Sequence, residues 1–238
     1  MNPEQREQLK KDVVAAGRGP FVGWWANLFE ISPKTLKRVH EYLTIAENDG
    51  AISERMRHLI WVVVDSLVTH LYSRGAGVHI RIAMALGASR EDIIEALEIA
   101  TYVSSIGYEV GLPVIMQAAQ EMGLSAAASP PPQNDNPEAW VQYAEIASPR
   151  ALEALTHLSE MRPPGLGLDA KSRELLFFAG YSCPAIANVI AMKRHAKRAL
   201  AAGATTEDLI QVLRLANCIG LHAMAEGINA AADSLTAR

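Results

Sequence analysis

HIRIAMALGA, from His79 to Ala88, and HAKRALAAGA, from His195 to Ala204, are two versions of one phrase. Each is followed by Glu-Asp (Glu91-Asp92 and Glu207-Asp208) and an apolar stripe. The offset is 116 residues, and it holds without a gap for Trp24 and Trp140, Ser32-Pro33 and Ser148-Pro149, Leu36 and Leu152, and Arg57 and Arg173. Ser66 and Ser182, Leu97 and Leu213, and Gly111 and Gly227 keep the same register. A fixed offset over this length reads as an internal duplication of a unit of about one hundred residues.

Working outward from the phrase, the expected halves are residues 20–122 and 137–235. They are joined by a Pro-rich linker at 123–136 that contains Ser129-Pro130-Pro131-Pro132. Ser32-Pro33 and Ser148-Pro149 read as helix starts, with serine as cap and proline in the first turn. Ser89 with Asp92 reads as a capping box, and Thr205 or Thr206 as the matching cap of the second half. Gly87 and Gly203 read as helix ends, and Gly75-Ala76-Gly77 as a break ahead of His79. The element from Met56 to Asp65 is assigned to helix despite its β-branched residues, because the register-matched stretch Arg173 to Ala179 lacks that bias. Residues 1–19 read as a loose leader.

The chain has 238 residues, of which 50% are hydrophobic and 6% aromatic, a balance that suits packed helices. Its net charge of −4 and the absence of a basic stripe argue against nucleic acid or an anionic membrane as partner. The polar N-terminal dozen residues show no signal peptide, and the longest unbroken apolar stretch, Leu59 to Val64, is too short for a bilayer. Two cysteines, Cys183 and Cys218, are expected as reduced core thiols, and the expected location is cytoplasmic.

Arg-x-Leu (Arg57 to Leu59, Arg173 to Leu175), then histidine, then Gly-Ala eight residues later, then Glu-Asp, resembles the carboxymuconolactone decarboxylase and alkylhydroperoxidase D-like superfamily. The resemblance covers about 20–118 and 137–234. It implies an all-α fold, here two tandem repeats of the alkylhydroperoxidase D-like helical unit, and a homo-oligomer in which a trimer of tandem chains imitates a hexamer. It also implies one of two chemistries. Peroxide reduction needs a Cys-x-x-Cys pair, one thiolate to attack and a second to resolve. Tyr72 and Gly75, and Asn188 and Ala191, stand where that pair would be. The resemblance therefore implies the other chemistry, a cofactor-independent, decarboxylase-like lyase acting on a small carboxylated compound of aromatic-acid breakdown. A metal-assisted hydrolase or isomerase on the same scaffold, or a non-catalytic binding module, are the alternatives. No ligand spacing typical of a metal centre accompanies the His-x-x-x-Glu of the second half.

The halves differ most in their polar residues. Copy one holds His70, Tyr72 and Arg74 where copy two is nearly apolar; copy two holds His222 and Glu226 where copy one has Ile106 and Val110. Complementary losses point to one composite site. The expected catalytic groups are His195, His222, Glu226, His70, His79 and Glu109, with Tyr72 and Arg74 gripping a substrate carboxylate. Four-residue spacing lets Glu226 orient His222 on one helix face. His79 and His195 are expected at helix starts, where the dipole favours neutral imidazole. His58 and its counterpart Glu174, the place of a relay carboxylate in peroxidase relatives, are expected to be structural.

Overall fold

The computed structural model describes residues 1–17, 21–124 and 139–236, so positions 125–136 of the expected linker lie outside the described residues. Those residues are α-helical with no strand, as the repeat phrase and composition imply. The helices are α1 (Pro3–Ala15), α2 (Trp24–Ile31), α3 (Pro33–Asn48), α4 (Glu54–Ser66), α5 (Ser73–Ala85), α6 (Arg90–Ser104) and α7 (Ile106–Glu121). They continue as α8 (Ala139–Ala147), α9 (Pro149–Leu158), α10 (Ala170–Ser182), α11 (Val189–Ala201) and α12 (Thr206–Asn217), then a 3-10 turn (Cys218–Gly220) and α13 (Leu221–Thr236). Contacts gather into two compact units, one made of Met1–Ala51 with Asn217–Arg238, the other of Ile52–Ala216.

The first unit corrects the reading of residues 1–19 as a leader. Asn2 caps α1 in a reciprocal box with Gln5, and Pro3 opens its first turn. Leu9 and Val13, one turn apart, are buried in a core with Leu28, Phe29, Leu36 and Val39. Each such burial stabilises by roughly 1.5–3 kcal/mol. Leu221, Met224 and Ile228 of α13 pack on the same core. A mostly charged sequence concealed this helix, because only two positions per turn pair carry its apolar face.

In the second unit, α4 and α10 are the most buried helices. Val62, Val63 and Val64 are fully enclosed, and so are Leu176 and Ala179 on α10. A helix enclosed on several sides tolerates β-branched residues that an exposed one would not, which is why propensity pointed the wrong way at α4. The caps fall where expected: Ser89 and Asp92 exchange hydrogen bonds at 2.8 and 3.0 Å, and Thr205 and Asp208 do so at 3.0 Å each. Gly87 and Gly203 take positive φ of 90° and 88° at the helix ends.

The 116-residue offset recurs in the buried hydrogen bonds. Ile52 N–H, ahead of α4, donates to Gln211 Oε1 of α12 at 2.8 Å; Leu168 N–H, ahead of α10, donates to Glu95 Oε2 of α6 at 2.8 Å. Each central helix is thus tied at its entrance by a buried side chain from the other half. The two ties differ in charge. Glu95 is 1% exposed and is compensated by the buried guanidinium of Arg173, which also donates to Ser159 O and Glu160 O.

Gly75-Ala76-Gly77, expected as a break, runs inside α5. Gly75 is needed there because a Cβ would run into the Asp65 carboxylate and the Tyr72 ring. Asp65 is 1% exposed, and burial raises its carboxyl to about 8. On the other side of the unit, α7 has no buried residue and exposes Val110, Val114 and Ile115. With α6 it forms Arg90–Glu121, a run of 32 residues long and apolar enough by length and composition to cross a membrane, whereas the unbroken apolar stretches showed no candidate. Its α6 portion is a core element of the second unit through Ile93, Ala96, Ile99 and Val103.

Two stability measurements follow. Glu95→Ala strips the compensating charge from buried Arg173 and is expected to cost about 3–5 kcal/mol in urea denaturation, against about 1–3 kcal/mol for the neutral tie in Gln211→Ala. For Asp65, the unfolded carboxyl titrates near 3.8 and the folded one near 8. Between those values the unfolded chain has released a proton that the folded chain keeps, so stability falls as pH rises. Asp65→Asn is expected to remove that slope, matching wild type at pH 4 and unfolding later at pH 8, in thermal melts across the range.

Candidate active site

Residues Glu174, Phe177 and Tyr181 lie three and four apart and share one face of α10. They meet α11, which Asn188 caps through Ala191 N–H at 3.2 Å. His195 sits in the second turn of α11 and is 3% exposed, its ring flat against Phe177 and Tyr181 with centroids 4.6 and 5.3 Å away. Its Nδ1 lies 2.6 Å from Glu174 Oε2. At its other nitrogen, Nε2, Arg194 Nε donates at 3.3 Å. A guanidinium N–H can only donate, so Nε2 holds the lone pair and Nδ1 carries the proton toward Glu174.

Burial pulls the His195 pKa below its ordinary value, the Glu174 hydrogen bond works against that, and the positive charges of Arg194 and Arg198 add to it. Neutral imidazole is therefore the resting form. The helix-start explanation does not hold: α5 begins at Ser73 and α11 at Val189, six residues ahead of His79 and His195. Desolvation takes the place of the dipole.

Around the dyad is a cavity of about 100 Å³ lined by Tyr102, Trp140, Phe177, Arg173, Arg194 and Arg198 together with Glu174 and His195. Three guanidinium groups and aromatic walls make it a place for a small, flat anion. Trp140 is 5% exposed, and its indole N–H meets no acceptor among the described residues.

Glu109 of α7 enters the same cluster from the first half of the sequence. Its two oxygens accept from Arg194 Nη2 at 3.2 and 3.4 Å, and it also accepts from the Tyr181 hydroxyl and from Asn188 Nδ2 at 3.4 Å. Burial and the Glu109 charge push the Tyr181 hydroxyl well above its ordinary value, so it stays a donor. Burial disfavours the Arg194 cation, but Glu109 outweighs that and raises its pKa.

The counterpart in the first half has the same frame and different chemistry. His58 Nδ1 is 2.9 Å from His79 Nδ1, with the Trp61 ring 4.8 Å from that of His79. His58 stands where copy two has Glu174, Asp65 where it has Tyr181, and Val78 where it has Arg194. Burial lowers the His58 pKa to about 4, so this imidazole is neutral. His58 and Glu174, expected to be structural, each lie within 3 Å of the histidine of the following helix.

Of the other candidates, His70 and Tyr72 come together, rings 5.7 Å apart, with His70 Nε2 4.0 Å from Asp65 Oδ1. Arg74, expected with Tyr72 to grip a substrate carboxylate, is exposed. His222 and Glu226 lie on α13 in the first compact unit, outside the one that holds His195. Glu226 points to solvent, because the face bearing Leu221, Met224 and Ile228 is the one that packs. Arg194, Tyr181 and Tyr102 were not among the expected residues. Arg194 was visible in the repeat phrase as a charge beside His195 where copy one has Val78, and only the rule of looking for asymmetry would have selected it.

Residues 33–124 match the family model described as the carboxymuconolactone decarboxylase family. The solved structure of a candidate gamma-carboxymuconolactone decarboxylase subunit from Burkholderia xenovorans LB400 superposes with a TM-score of 0.86 at 24% identity, over 97% of each chain. No curated protein matches. The chain thus has the all-α fold of that solved structure over nearly its whole length.

Proposed function

We propose that the α10–α11 site is that of a cofactor-independent, decarboxylase-like lyase acting on a small carboxylated compound of aromatic-acid breakdown. The observation that carries this reading is a Glu174–His195 dyad with its imidazole buried, opening on a cavity lined by three guanidinium groups and by Trp140, whose indole N–H is unpaired among the described residues. The family description of residues 33–124 supports the reaction class.

In this reading the cavity's cations draw in the substrate carboxylate, and Trp140 N–H gives it a hydrogen bond. The bond from the carboxyl carbon breaks, carbon dioxide leaves, and the electron pair passes into the substrate's adjacent unsaturated system. Carbon must then gain a proton. His195 takes one from water at Nε2, Glu174 stabilises the imidazolium, and the ring delivers that proton to carbon and returns to its neutral form. One proton is consumed per carbon dioxide released. Such proton delivery contributes about 10²–10⁴-fold to rate.

The test is carbon dioxide release from carboxymuconolactone-type acids by chelator-treated protein. Turnover is expected, with kcat in His195→Ala lower by about 10²–10⁴-fold. Because the working form is imidazolium and burial depresses its pKa, activity is expected to rise as pH falls through that pKa. Glu174→Gln, which removes an interaction raising it, should move the limb to lower pH. Trp140→Phe should raise KM more than it lowers kcat. No product across the acid panel, or turnover restored only by added metal, defeats the proposal.

Assembly with copies of the same chain, as a trimer, is proposed alongside, supported by the exposed Val110, Val114 and Ile115 of α7. Analytical ultracentrifugation is expected to give three times the chain mass of 25.8 kDa. A monomer at micromolar concentration rejects it.

A further inference from the structure

The geometry points to Glu109 as a positioning residue that governs the protonation of His195 through Arg194, without touching substrate itself. This deepens the decarboxylase reading, and its catalytic consequence rests on that reading.

Glu109 is poorly suited to act as an acid or base. Its side chain is 8% exposed and its oxygens accept from three residues at once, Arg194, Tyr181 and Asn188. A carboxylate so engaged is held in place. What it controls is Arg194, whose side chain is 6% exposed and whose Nε–H points at the one nitrogen of His195 that Glu174 leaves available. A buried cation at that position opposes protonation of Nε2. Paired with Glu109, its net field at the ring is reduced.

The groups facing His195 are consistent with this single route. They are Glu174, Arg173 and Tyr181 from α10, Tyr102 from α6, Glu109 from α7, and Arg194 and Arg198 on α11 itself. Arg173 is already compensated by Glu95, Tyr181 is a neutral donor committed to Glu109, and Arg198 lies at an exposed position. The Arg194 charge is therefore the one next to the ring whose effect depends on a partner from another part of the chain. The register of the repeat supports the assignment from the other direction: Val78 stands at the position equivalent to Arg194, and Ala225 at the position equivalent to Glu109. Cation and carboxylate are present together or absent together.

The experiment is a substrate-free NMR titration of the His195 ring in full-length protein, so its outcome is independent of whether any acid is decarboxylated. Glu109→Gln is expected to lower the His195 midpoint by about one pH unit or more, and Glu109→Asp to restore most of it. Arg194→Met should raise the midpoint. The double variant Glu109→Gln/Arg194→Met should titrate like Arg194→Met alone, because the carboxylate acts only through the cation. It also buries no lone charge, which keeps the test available if Glu109→Gln does not fold. A His195 midpoint unchanged in folded Glu109→Gln, or one that differs between Arg194→Met and the double variant, overturns the proposal. A purely architectural role for Glu109 predicts lost stability in Glu109→Gln and Glu109→Asp with an unmoved midpoint in whichever folds.

Discussion

A charge removed from water must meet its opposite, and the second compact unit is arranged around that requirement. Glu95 with Arg173, Glu109 with Arg194, and Glu174 with His195 are three buried or half-buried carboxylates, each satisfied by a group on a different helix. None of these pairs adds much net stability over a well-packed apolar substitute, since desolvation offsets most of the attraction. What they supply is uniqueness. A shift of α6 or α7 by one turn leaves a carboxylate buried alone, at a cost far larger than the loss of a few apolar contacts. The helices around His195 are therefore located by polar partners within an otherwise adaptable apolar core.

The fold was legible because the repeat phrase is made of helix punctuation. Ser89 with Asp92, Thr205 with Asp208, and the glycines at 87 and 203 each do locally what their residue types dictate. Residues 1–19 misled for a physical reason: α1 buries only Leu9 and Val13, so its identity lies in its cap rather than in hydrophobic periodicity. The Gly75 to Gly77 segment misled because glycine was read as a breaker when its function is steric. The space a Cβ needs there is taken by Asp65, ten residues earlier in sequence, and no local rule reports that.

The site was half legible. His195 and Glu109 were both singled out, but as parallel candidates rather than as two ends of a chain running through Arg194. Sequence shows which residue types exist, while partner choice depends on which helix faces meet. Glu109 meets α11 across 85 positions of chain. Glu226 shows the converse: ideal spacing from His222 on one helix did not keep it from facing solvent. The principle that served best was the comparison between halves, since the contrast between Arg194 and Val78 and between Glu174 and His58 separates the two frames chemically.

One feature of the first half bears on how this scaffold can change its chemistry. Tyr72 and Gly75 stand where a dithiol pair would sit in the peroxide-reducing branch, and the carboxyl of Asp65 fills the volume any side chain at position 75 would need. Cysteine therefore cannot enter at 75 while Asp65 stays where it is. Acquiring a thiol at 75 in this half requires the Asp65 carboxylate and the Tyr72 ring first to turn away or be replaced, a change that confers no thiol chemistry by itself. In the second half the corresponding position is Ala191, which already carries a Cβ, and no such order of events is imposed. The two halves, similar in backbone, are thus unequal as starting points for evolution.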